Sequence, residues 1–268
     1  MRWTLGPRSP NLEDQRGQRA FGGLGVGRIG VGGVIVLLVL SLVFKKDFFS
    51  LLSGGTGDAS PAGTLQTTPD EERLVGFVSF VFDTAQATWS RILRQNGAEY
   101  RDAKLVLFRD AVQSACGFAE AATGPFYCPG DRKVYIDLGF YDELRRRFGA
   151  PGDFAQAYVL THELGHHVQN LLGLMPGGPS SNGQSVRIEL QADCFAGIWG
   201  HYMAQQGLLE PGDVEEGLGA AAAVGDDRLQ KMSTGTVSPD AFTHGTSVQR
   251  ASWFRRGLES GRVQSCQT

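Results

Sequence analysis

Two pairs of polar residues at helical spacing constrain this chain more than any other feature. In "THELGHHVQN", residues 161 to 170, His162 and His166 stand four positions apart with Glu163 beside the first. In "ELQAD", Glu189 and Asp193 repeat that spacing, and Glu189 follows His166 by 23 residues. Side chains at i and i+4 of an α-helix stack one turn apart, so each pair occupies one face. Leu160, Leu164, Val168 and Leu171 make a separate apolar stripe on the first helix; Ile188, Phe195, Trp199 and Tyr202 make one on the second. Ala192, Ala196 and Gly200 keep the Glu189 side small, so the fold is expected to pack these two helices closely with their polar faces together.

Two imidazoles one turn apart can reach a single zinc ion, and Glu163 can reach a water held beside it. A catalytic zinc needs a third protein ligand and a fourth position left open. The longer pattern H-E-x-x-H-x-x-G-x-x-H fails, because Gln169 and Leu172 stand where it needs glycine and histidine. Glu189 is then the expected third ligand. Asp193, one turn on, can accept a hydrogen bond from the free ring nitrogen of a ligand histidine and fix its tautomer. Glu163 is the expected general base for peptide hydrolysis. An alternative is a zinc-stabilised, non-catalytic binding or scaffolding module at the membrane, which needs the ligands but has no use for Glu163.

The chain has 268 residues, 41% of them apolar, enough for one sizeable core after the N-terminal part is set aside. A net charge of -3 argues against nucleic acid as a partner. Arg2, Arg8, Arg16, Arg19 and Arg28 stand among glycines and polar residues, and "IGVGGVIVLLVLSLVF", 29 to 44, then runs uncharged as far as Lys45 and Lys46. Sixteen residues fall short of the ~20 of a comfortable span, so flanking cations would have to snorkel. The expected organisation is a disordered cytoplasmic segment (1–28), a single transmembrane anchor (29–46) touching the lipid bilayer through 29–44, a linker (47–69) and a catalytic domain (70–268). The arginine excess predicts a single-pass cell-membrane protein, N-terminus cytoplasmic and domain on the periplasmic or extracytoplasmic side. Cys116, Cys128, Cys194 and Cys266 all fall in that domain, and an even count in an exported domain favours two disulfides. Of the three possible pairings we expect Cys116 with Cys128, closing a short loop, and Cys194 with Cys266, tying down the tail.

The domain reads as mostly helical. A helix is expected over 71–97 after Pro69 and Asp70, with short strands at "KLVLF" (104–108) and "KVYID" (133–137). Helices follow at "FYDELRRRFG", "FAQAYVLTHELGHHVQNLLG" and "SVRIELQADCFAGIWGHYMAQQG", each closed by glycine. The class is α+β, a small sheet beside a helical body. "KVYID" is the candidate edge strand for an extended peptide substrate. The connector "GLMPGGPSSNGQ" (173–184) links the two metal helices, and His167 and His201 face away from the ligands.

"HELGHH", "ELQADCFAG", "GPFYCP", "VYIDLGFY" and "THGTSVQRASWF" together resemble the bacterial neutral zinc metallopeptidase family of membrane-anchored proteins, over about residues 70 to 266. The glutamate-plus-aspartate arrangement is similar to that of thermolysin-type gluzincins. The resemblance implies a zincin-like fold, one zinc per chain and endopeptidase activity on peptide or protein substrates. In thermolysin-like enzymes a histidine from the C-terminal part stabilises the oxyanion, and His244 in "THGTS" is its counterpart here, with Asp226 and Arg250 as lesser helpers.

Overall fold

The structure, a computed structural model, describes residues 1–18, 65, 67–121, 124–176, 178 and 180–268. Met1–Gln15 and Thr67–Thr268 form one compact unit and Arg16–Gln66 a second. The apolar run 29–44 and the linker stretch 53–64 lie outside the described residues. Among the described residues, no helix is long and apolar enough to cross a membrane.

The sheet comprises β1 (Leu12–Asp14), β2 (Lys104–Phe108), β5 (Phe126–Cys128) and β6 (Lys133–Asp137) in the order β1-β2-β6-β5. β1, β2 and β6 run parallel; β5 is antiparallel to β6. A separate hairpin pairs β3 (Ala111–Ser114) with β4 (Gly117–Glu120). Leu105, Val106 and Leu107 of β2 and Val134 and Ile136 of β6 are fully buried, as expected of apolar strands covered on both faces.

Helices α1 (Pro69–Gln95), α2 (Phe140–Arg146), α3 (Asp153–Leu171), α4 (Asn182–Gln205), α5 (Asp213–Ala223), α6 (Asp226–Thr234) and α7 (Ser247–Ser260) complete the described domain. The α+β architecture therefore stands. α1 starts where the Thr68 hydroxyl accepts the Glu71 N–H, with proline in its first turn. α4 starts at a capping box made by Ser181 and Gln184, so it takes up residues 182–184 of the expected connector. The last three helices were not anticipated; the Gly- and Ala-rich spelling of α5 carries little periodic signal.

α3 lies at the centre, against α1, α4 and α5. Trp89 of α1 meets Phe195 edge-on at 4.9 Å, and Phe154 stacks on Trp199 at 5.7 Å. Glycines set how closely the site helices approach. Gly165, inside "HELGHH", faces the Ala192 backbone, where an added Cβ would come within 3.0 Å of the Ala192 oxygen. Gly197 of α4 rests on the Phe254 carbonyl and Gly257 of α7 on the Cys194 carbonyl, a reciprocal contact with no room for side chains. The disulfides join Cys116 to Cys128 and Cys194 to Cys266, the pairing expected. The first holds the β3–β4 turn to β5; the second holds the C-terminal tail to α4.

Two expectations are corrected. Residues 1–15, read as part of a disordered segment, belong to the domain: β1 pairs with β2 from Leu12 opposite Leu105 to Asp14 opposite Leu107. Ser9 binds Asp83, Lys133 Nζ binds Glu13 at 2.6 Å, and Trp3 packs on Phe77 at 5.2 Å. A strand spelled Leu-Glu-Asp has no alternation to betray it; what recruits it is the unpaired backbone on the free side of β2. The second concerns "KVYID". It lies between β2 and β5 with both edges paired, so the strands at the ends of the sheet are β1 and β5, and β5 is the one that lines the cavity.

Candidate metal centre

His162 and His166 project from α3, and Glu189 and Asp193 from α4 across the Gly165–Ala192 contact. His162 Nε2 lies 3.2 Å from Glu189 Oε2, and His166 Nε2 lies 3.4 Å from Glu189 Oε1. One ligand atom from each of the three falls within 4.8 Å of the others, so the group could hold a metal ion. Donors about 2.0–2.2 Å from a tetrahedral zinc stand about 3.3–3.6 Å apart, close to these two separations, which run to different oxygens of Glu189.

Both rings present Nε2 because both Nδ1 atoms are engaged elsewhere. His162 Nδ1 donates to Asp193 Oδ1 at 2.8 Å, while His166 Nδ1 donates to Gln169 Oε1 at 2.8 Å. Asp193 is fully buried and also accepts from Tyr158 Oη at 2.5 Å and from Arg250 through Nε and Nη2, each at 2.9 Å. With neutral imidazoles, the carboxylates of Glu163, Glu189 and Asp193 face the single guanidinium of Arg250. That leaves two negative charges, which a divalent cation neutralises.

Glu163 is 8% exposed and lines the same cavity as the three ligands. Burial pushes its carboxyl up to about 7, although neighbouring His162 opposes the shift. Burial also works against the charge on Glu189, but His166, His162 and Arg250 hold its carboxyl well below the usual range. The cavity, about 620 Å³, is walled by Phe126, Phe140, Phe148, Tyr158, Val159 and Leu229 among others, with His244 also on its lining. Asp226 Oδ2 accepts the backbone N–H groups of Thr243, His244 and Gly245 at 2.7, 2.6 and 3.0 Å. Its Oδ1 lies 3.0 Å from His244 Nδ1, which Thr243 Oγ1 also approaches at 3.0 Å.

The structure thus gathers His162, Glu163, His166, Glu189, His244 and Arg250 around one cavity, with Asp193 and Asp226 directly behind. Arg250 sits deeper than a helper role suggested, 4% exposed against Asp193. Ile188, read as core-facing, lines the cavity instead. His167, read as unremarkable, is fully buried between Tyr127 Oη at 3.0 Å and the Arg101 carbonyl at 2.6 Å. Sequence reading passed over Tyr158 and Gln169. Their signal is spacing, since Tyr158 precedes His162 by one turn and Gln169 follows His166 by three residues.

Two packed helices offer two imidazoles and a carboxylate to one point, with a further glutamate on the cavity wall, an arrangement consistent with a zincin-like domain. The chain belongs to the family described as "Putative neutral zinc metallopeptidase", whose model matches residues 1–268. It is similar to the uncharacterized protein YpfJ of Escherichia coli strain K12, 46% identical over 288 aligned positions that cover all of this chain and 98% of that protein. It is 41% identical over 201 positions to the uncharacterized protein Rv2575 of Mycobacterium tuberculosis strain H37Rv, covering 69% of this chain and 67% of that one. No solved structure matches the chain.

Proposed function

We propose that this protein is a zinc-dependent endopeptidase in which His162, His166 and Glu189 hold one zinc ion and Glu163 is the general base. The observation that carries this reading is the convergence of His162 Nε2, His166 Nε2 and Glu189 on one point, with Glu163 on the same cavity wall. When bound, the metal supplies Lewis acidity to the water and to the scissile carbonyl. Glu163 takes a proton from the attacking water and passes it to the leaving amine. His244, held by Asp226 through Nδ1, stands beside the carbonyl oxygen as it gains charge and donates to it through Nε2 when both ring nitrogens carry a proton, and Asp193 with Arg250 keeps the His162 ring in place. The mostly apolar walls and the outer side of β5, where the Tyr127 backbone meets Glu163, suit an extended peptide. A carboxylate at the Glu163 position favours catalysis over a scaffolding role. Two disulfides favour an oxidising, extracytoplasmic compartment for the domain, and the uncharged apolar run 29–44 favours lipid contact.

The test is metal content and peptide hydrolysis in Glu163→Gln, which is expected to retain one zinc per chain with activity lower by orders of magnitude. Undiminished, chelator-sensitive hydrolysis by that variant would overturn the mechanism.

A further inference from the structure

His162 and His166 are steadied by different chemistry. Behind His162 stands a charged, fully buried carboxylate, Asp193. Behind His166 stands a neutral side-chain amide, Gln169, itself fully buried.

An amide can be turned either way, presenting oxygen or NH2 to a ring nitrogen. The surroundings of Gln169 leave one choice. Its Nε2 lies 2.7 Å from the Ile188 carbonyl and 3.0 Å from Gln191 Oε1, and both of those atoms are acceptors. Turning the amide over would set its oxygen against two other oxygens in a buried site and leave that oxygen and Gln191 Oε1 without a donor. Gln191 is settled in the same way, because its own Nε2 donates to the Cys266 carbonyl at 3.0 Å. That carbonyl is held in place because Cys266 is bonded to Cys194 on α4.

We infer that Gln169 and Gln191 are positioning residues for the metal centre: an amide relay, anchored on the carbonyl of disulfide-bonded Cys266, presents an acceptor to His166 Nδ1 and so keeps the Nε2 lone pair free for zinc. The relay selects the less common ring tautomer by hydrogen bonding alone. The tail beyond α7 thereby becomes part of the site's support, although Cys266 is 77 residues past Glu189. This inference rests on the assignment of His166 as a ligand.

Two measurements test it. The first needs no substitution. Nitrogen-15 spectra of the metal-free wild-type protein are expected to show His166 with its proton on Nδ1 and a bare Nε2; a proton on Nε2 in the neutral ring would overturn the relay. The second is zinc affinity by chelator competition. Gln169→Met, which fills the same space without an acceptor, is expected to weaken zinc binding by about 10–100-fold, the usual cost of losing an outer-shell partner. Gln169→Glu keeps an oxygen for Nδ1 but sets its second oxygen against the Ile188 carbonyl and Gln191 Oε1, so it is expected to recover part of the lost affinity, whereas a purely structural role would leave it no better than Gln169→Met. Zinc affinity unchanged in Gln169→Met would sink the inference while leaving the zinc assignment intact. A wild-type protein that binds no zinc would instead sink the proposed function, and the tautomer would still judge the relay. If Gln169→Met does not fold, the wild-type spectrum decides alone.

Discussion

Arg250 meets Asp193 edge to edge, Nε to Oδ2 and Nη2 to Oδ1, both at 2.9 Å. Neither side chain has more than 5% of its surface exposed. The pair brings α7 onto α4 at the point where the Gly197 and Gly257 contact lets the backbones approach. A buried ion pair contributes little beyond an apolar pair of the same shape, yet losing one partner leaves a charge without compensation. Arg250→Met is therefore expected to destabilise the metal-free protein in urea unfolding, by less than the about 3–5 kcal/mol of a wholly uncompensated charge, because protonated His162 still pairs with Asp193. Arg250→Lys is expected to recover only part of that, since lysine lacks the fork that meets both carboxylate oxygens. A shift below about 1 kcal/mol in Arg250→Met would show that Asp193 is neutralised some other way.

His244 touches Asp226 rather than the ligand trio, so its removal separates transition-state stabilisation from metal binding. In His244→Ala, zinc content is expected to be unchanged and kcat/KM to fall by about 10²-fold. Loss of zinc would make His244 a ligand and reopen the assignment of Glu189. An unchanged rate would remove it from the mechanism.

Zinc binding is expected to release protons. In the metal-free site burial disfavours a charged His162, but Asp193 and Glu189 on its two nitrogens outweigh this and push its pKa up to about 10. Burial lowers that of His166, which is therefore already neutral near pH 8. Because zinc needs the His162 lone pair, binding at pH 8 should displace about one proton, and apparent affinity should fall about tenfold per unit as pH drops from there. Calorimetry in buffers of differing ionisation enthalpy measures the release. Zero protons released at pH 8 would mean that His162 is already neutral before the metal arrives.

The pairing of β1 with β2 bears on topology. A single crossing between residues 29 and 44 would put β1 and β2 on opposite sides of a membrane, yet they share a parallel ladder. Met1–Gln15 and the metal centre are therefore expected in one compartment. Leu5 and Val248 are 68% and 78% exposed, and all four native cysteines are in disulfides. Leu5→Cys and Val248→Cys, made one at a time, should react alike with a membrane-impermeant maleimide on intact cells. Labelling of one position with protection of the other would restore the single crossing and exclude β1 from the folded domain.

The sequence by itself determined whatever spacing within one or two helical turns can encode. His162 with His166, and Glu189 with Asp193, had to share helix faces once α3 and α4 formed, and the apolar stripes specified which faces turn inward except at Ile188, which lines the cavity. Caps and glycines located the helix ends to within a few residues, and the even cysteine count pointed to two bridges. Only the tertiary structure decided what meets across long separations. No periodicity marks Leu12–Asp14 as a strand beside Leu105, and nothing local sets β6 inside the sheet and β5 at its edge. Gln169 was legible only as the residue that spoils a longer motif, because an amide's role depends on which acceptors surround it. Those acceptors, Ile188, Gln191 and through it Cys266, lie on α4 and the tail. Spacing is a property of one segment, whereas hydrogen-bond direction and strand register belong to the pair of segments that meet.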